Sequence, residues 1–138
     1  MGRDIAERYP AARELWCEAE DVLGVPLSRI AWEGPEEELT ATLNAQPAIL
    51  VHSIAVYRLV AEALGEVRIA AGHSLGEFSA HVAAGTLDFA SAVKTVRRRG
   101  ELMYRSGEAR PGTMAAVLGL ADEEVERVCR EASVAGEV

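Results

Sequence analysis

The sequence predicts a helix-rich α/β fold that holds part of a sheet rather than a whole one. Three observations predict it. Gly72-His73-Ser74-Leu75-Gly76 is a G-x-S-x-G pentapeptide between a short apolar run and a helical run, as a nucleophile elbow requires. Residues 47–64 are apolar almost all round a helical projection, the pattern of a helix buried on most sides. Only two runs read as strands, and the first is apolar enough to be central. A central strand needs hydrogen-bonded neighbours on both edges, and nothing else in the chain obviously supplies them.

In chain order, Asp4 to Leu23 is an amphipathic helix ended by Gly24 and Pro26. A loop runs to Gly34-Pro35, and Pro35 opens a short helix through Leu43. The all-round apolar helix spans Pro47 to Leu64, carrying Ile49, Leu50, Val51, Ile54, Leu59 and Leu64. Glu66 to Ala71, bounded by Gly65 and Gly72, is the first strand. The elbow helix follows from Leu75 to Ala84, with Glu77 in its first turn, where a carboxylate suits the positive end of the dipole. Asp88 is the N-cap of a helix from Phe89 to Arg105. Glu108 to Gly112 is a linker, Thr113 to Leu120 the second strand and Asp122 to Ala132 the last helix.

Composition narrows the function classes. The length of 138 residues suits about one domain, and 49% of them are hydrophobic. A net charge of −8 argues against a nucleic-acid partner. No apolar run is expected to be long enough to span a bilayer. Residues 1–8 are charged, lack an apolar h-region and are not expected to be a signal peptide. Cys17 and Cys129 stand far apart in no metal-type spacing, which fits reduced thiols in a cytoplasmic protein. No metal site and no cofactor are expected.

Ser74 is the candidate nucleophile. The elbow exposes its Oγ, and the glycines on either side are expected where the strained serine backbone crowds out a Cβ. The chemistry also needs oxyanion donors and a base. The backbone N–H of Leu75, at the start of the helix, is one donor. None of His52, His73 and His81 is spaced to be the base: His73 would point away across the elbow, His81 lies two helical turns on and His52 sits two turns into the apolar helix.

Arg99 flanks the apolar stripe of Phe89, Ala92, Val96 and Met103, whereas Lys94, Arg98 and Arg105 fall on the opposite, solvated face. An arginine beside a buried stripe needs an acidic partner: an internal ion pair or a bound carboxylate. Gln46, at the mouth of the apolar helix, either caps backbone groups or bonds a ligand.

Taken in order, Gln46-Pro47-Ala48, Gly72-His73-Ser74-Leu75-Gly76-Glu77, Arg99-Gly100-Glu101-Leu102-Met103 and Gly112-Thr113-Met114-Ala115-Ala116-Val117 resemble the malonyl-CoA:acyl carrier protein transacylases of fatty-acid and polyketide synthesis. The resemblance implies a partial three-layer, hydrolase-like acyltransferase domain. Residues 1–110 would belong to its large α/β subdomain and 111–138 would open a small ferredoxin-like subdomain. It implies that Ser74 takes malonyl from coenzyme A and passes it to the phosphopantetheine thiol of acyl carrier protein. Arg99 would bind the malonyl carboxylate, Leu75 would supply an oxyanion N–H and Gln46 would line the site. Malonyl-CoA and acyl carrier protein are the implied partners, without nucleic acid or membrane.

The family's P-G-Q-G-S-Q-like turn and its catalytic histidine have no counterpart here, so the resemblance also implies a fragment. Two other classes stay open. One is a noncatalytic acyl-CoA or carrier-protein binding module, or companion subunit, docking through Lys94, Arg97 and Arg98. The other is an α/β-hydrolase esterase, for which a carboxylate clamp at Arg99 has no use.

Overall fold

The computed structural model describes residues 1–112 and 115–134, and among these the chain is helical wherever it is regular. The helices are α1 (Arg3–Arg8), α2 (Pro10–Leu23), α3 (Leu27–Glu33), α4 (Glu36–Thr40), α5 (Thr42–Leu64), α6 (Gly76–Ala83), α7 (Phe89–Ala109) and α8 (Asp122–Val134). The core lies where α2, α5 and α7 meet, with Leu15, Trp16, Leu27, Leu50, Ile54, Val93 and Val96 fully or almost fully buried. The rings of Trp16 and Trp32 meet edge to face at 5.5 Å, an arrangement aromatic quadrupoles favour.

Several boundaries differ from expectation for local reasons. The helix predicted over Asp4 to Leu23 is two, because Pro10 drives Tyr9 to an extended conformation (φ −124°, ψ 109°) and then opens α2 at its first position. The loop predicted before Gly34 contains α3, whose Leu27, Ile30 and Ala31 reach the core. Helix α7 runs to Ala109, through part of the predicted linker.

The largest shift concerns α5, which begins at Thr42 and carries Pro47 inside it. Its 23 residues, at a mean hydropathy of 1.4 over an 18-residue window, are long and apolar enough to cross a membrane by those two measures. That corrects the expectation of no run of such length. Nor is α5 covered all round: Leu50, Val51, Ile54 and Ala55 are buried, while Ile49, Val60 and Leu64 stay exposed.

Neither predicted strand forms among the described residues. Glu66 to Ala71 is irregular, without a strand partner and exposed, with Ile69 86% accessible. A strand exists only through hydrogen bonds to a neighbour, and the described residues provide none. Thr113 and Met114 of the second run lie outside the described residues, and 115–120 is irregular.

Candidate active site

The turn around Ser74 has the geometry of an elbow. Ser74 is the only non-glycine residue with positive φ among the described residues, at 54°, a conformation that costs an L-residue free energy. The Gly76 N–H donates to the His73 carbonyl at 2.8 Å and the Glu77 N–H to the Ser74 carbonyl at 3.3 Å, folding the chain straight into α6. A Cβ on Gly72 would stand 2.0 Å from the Gly76 carbonyl carbon and oxygen, so that position admits only glycine. Gly76 differs: a Cβ there meets nothing within 4 Å, and the expectation that both glycines avoid a clash holds only for the first.

Ser74 is exposed, as an elbow serine should be. Among the described residues the Leu75 N–H donates to no acceptor, and it sits at the positive end of α6, free to receive an oxyanion.

The second half of the site comes from α7 crossing the start of α5. A Cβ on Gly100 would stand 2.7 Å from both Leu43 Cα and the Thr42 carbonyl oxygen, so the two backbones touch there. That approach carries the preceding residue, Arg99, to the site. Its Nη2 donates to Ser74 Oγ at 2.9 Å, and its Nη1 donates to Gln46 Oε1. Arg99 has no carboxylate partner among the described salt bridges, so the internal ion pair does not form there.

Gln46 is 6% exposed and lies within α5, so it caps no helix end. Its Nε2 donates to Thr42 Oγ1 at 2.6 Å and meets Met103 Sδ at 3.2 Å, leaving Oε1 for Arg99. These contacts fix which end of the amide faces the guanidinium.

The structure thus unites Ser74, Leu75, Gln46 and Arg99. It brings no base to them: Arg99 is Ser74's side-chain partner among the described residues, and a guanidinium cannot accept a proton. His81 pairs with Thr86 Oγ1 at 2.9 Å, His52 Nδ1 is buried without a partner, and His73 is exposed.

Of the cationic residues on α7, Lys94, Arg98 and Arg105 are exposed as expected. Lys94 and Arg98 join Phe78 and Leu102 along an open groove of about 770 Å³ beside Arg99. Arg97 does not belong with them. It is only 19% exposed and bonds Leu43, Asn44 and Glu101, which removes it from the docking face considered above. Sequence reasoning placed Arg97 on a docking face and gave Gly100 no packing role, so it missed what both do at the α5–α7 crossing. The proline inside α5, which strands a carbonyl, was the available signal for Arg97.

Comparison with known proteins decides the family. Residues 1–138, the whole chain, match the family described as "Acyl transferase domain". The chain belongs to that family. Within it, the chain is 49% identical over 128 residues to the malonyl CoA-acyl carrier protein transacylase of Bacillus subtilis, covering 93% of this chain and 40% of that protein. It is 43% identical over 134 residues to the Escherichia coli K12 protein of the same name, covering 96% and 43%.

Two solved acyl transferases superpose closely. The MCAT of Streptococcus pneumoniae gives a TM-score of 0.83 at 44% identity, covering 99% of this chain and 44% of that one. A malonyl-transacylase solved in complex with its type II polyketide-synthase acyl carrier protein gives 0.82 at 42% identity, covering 96% and 43%. The chain therefore spans about two fifths of the length of its curated relatives, at 40% and 43%.

Proposed function

We propose that this chain carries the nucleophile and the carboxylate clamp of a malonyl transferase acting between coenzyme A and acyl carrier protein. The observation that supports this best is Arg99, held by Gln46 with its second prong on Ser74 Oγ. A simple esterase has no use for a cation there. A malonyl thioester does: its free carboxylate exchanges for the Ser74 contact and takes the guanidinium fork, leaving the thioester carbonyl at Ser74.

Ser74 Oγ then forms a bond to the carbonyl carbon and gives its proton to a base. The tetrahedral oxyanion rests on the Leu75 N–H, and the C–S bond breaks to release coenzyme A as its thiol. The phosphopantetheine thiol of the carrier protein attacks the Ser74 ester in turn and leaves with the malonyl group. The base comes from outside these 138 residues, so the working enzyme contains more than this chain. Residues 1–110 belong to its large subdomain, 111–138 open the small one, and the natural setting is cytoplasmic fatty-acid synthesis.

A second class is favoured by Ser74 having Arg99, and no histidine, as its side-chain partner among the described residues. In it the chain binds the acyl-CoA or carrier protein without turnover, or is completed by a companion subunit, with Lys94 and Arg98 facing the acidic carrier.

The test is intact mass of the chain after incubation with malonyl-CoA, beside Ser74→Ala, with binding of malonyl-CoA and acetyl-CoA measured in parallel. The expected result is no rapid adduct and a preference for malonyl-CoA that Arg99→Ala removes. Equal affinity for the two thioesters would sink the clamp. A Ser74-dependent malonyl adduct would show that no outside base is needed.

A further inference from the structure

Pro47 lacks an N–H, so the Leu43 carbonyl four residues earlier has no partner inside α5. The structure supplies one from another helix. Arg97 Nη1 donates to the Leu43 carbonyl at 3.0 Å and to Asn44 Oδ1 at 2.6 Å, while its Nε reaches Glu101 at 3.2 Å. Asn44 is itself 7% exposed, and its Nδ2 donates to the Glu38 carbonyl at 2.7 Å, so the amide has one satisfied orientation. Arg97 therefore ties the first turns of α5 to α7 and, through Asn44, to α4.

That tie lies next to the clamp. Arg97 and Arg99 precede Gly100 within the same turn of α7, and at Gly100 the α7 backbone touches Thr42 and Leu43. Arg97 holds Leu43 and Asn44; Arg99 meets Gln46, which is braced in turn by Thr42. The four residues from Leu43 to Gln46 form one helical turn, so the position of that turn sets the distance between Gln46 Oε1 and Arg99.

We propose that Arg97 is a positioning residue for Arg99: by occupying the carbonyl that Pro47 strands, it holds the turn that aims the Arg99 fork at Ser74. The consequence for an acyl carboxylate rests on the transferase reading above; the coupling between the two arginines does not.

Two measurements separate these. The first needs no ligand. In 15N-labelled protein the Arg99 Nε–H resonance would be identified by its loss in Arg99→Lys, and Gln46→Ala, which removes its amide partner, is expected to displace it. Arg97→Met is expected to displace it likewise, and Arg97→Lys, which keeps one donor for Leu43, to restore it in part. Asn44→Ala takes one acceptor from Arg97 and shifts the same resonance less; it also serves if Arg97→Met does not fold. An Arg99 resonance unmoved in a folded Arg97→Met or Asn44→Ala chain overturns the proposal.

The second measurement is affinity for malonyl-CoA against acetyl-CoA. Arg97→Met is expected to weaken the first about tenfold and the second less than about twofold, because only malonyl presents a carboxylate to Arg99. Equal loss for both thioesters in a folded Arg97→Met chain means a purely structural Arg97 and also overturns the proposal. No preference in the unsubstituted chain overturns the transferase reading, while the resonance still decides the coupling.

Discussion

The α5–α7 seam and the irregular run from Glu66 to Gly72 are both apolar in sequence, yet they end in opposite states. Along the seam Leu50, Val51, Val93 and Val96 are sealed from solvent and the backbones touch at Gly100. In the run, Val67 and Ile69 are exposed and no ladder forms. A helix closes its own hydrogen bonds within each turn and needs neighbours only for its side chains. A strand needs neighbours for its backbone as well. The difference teaches that Ser74 stands at the junction of a packed helical seam and a run without a ladder: Arg99 and Gln46 come from the seam, Ser74 from the end of the unpaired run.

The comparison breaks most sharply at the centre of the core. Trp16→Ala is expected to cost about 3–5 kcal/mol in urea unfolding, through lost burial and a cavity against Trp32. Gly100→Ala forces a Cβ into the Leu43 and Thr42 backbone, for an expected loss of about 1–3 kcal/mol. Because the seam also carries Arg99 and Gln46, the Arg99 resonance should move with it. A Gly100→Ala chain with unchanged stability and resonance would mean the two backbones are not in contact.

A smaller effect sits at the start of α7. Asp88 accepts from the Ser91 N–H at 2.8 Å, and that hydrogen bond holds its carboxyl below the ordinary aspartate range. A lowered folded value means the cap stabilises fully above the unfolded pKa and fades as pH falls through the folded one. Thermal melts of Asp88→Ala against the parent are therefore expected to differ near neutrality and to converge in acid. A constant gap at all pH values would deny the carboxylate its role.

The smallest effect sharpens the contrast. Ile69→Asp is expected to change stability by less than about 0.5 kcal/mol, since the side chain is already in water. A loss comparable to Gly100→Ala would show that the run packs against something in the isolated chain.

Much of the site was legible in particular residues. Gly72 and Ser74 announced a turn that only glycine can precede, and the structure returns the positive φ and the 2.0 Å approach. Arg99 stood out as a cation beside an apolar stripe. Which partner it takes was not legible, because a guanidinium beside a core accepts any acceptor within reach. Gln46 reads as a cap until α5 is seen to start at Thr42, and Arg97 reads as a solvated charge until the carbonyl left by Pro47 is seen to face it.

By itself the sequence determined the elbow, most of the helices and the shortage of strands, because turns, caps and apolar periodicity act between residues a few positions apart. Only the tertiary structure decided the contacts among Arg99, Gln46 and Ser74, the bonds of Arg97 to Leu43 and Asn44, and the exposure of Ile69. These depend on how α7 crosses α5, and that crossing is set at Gly100 by a backbone contact between segments far apart in the chain.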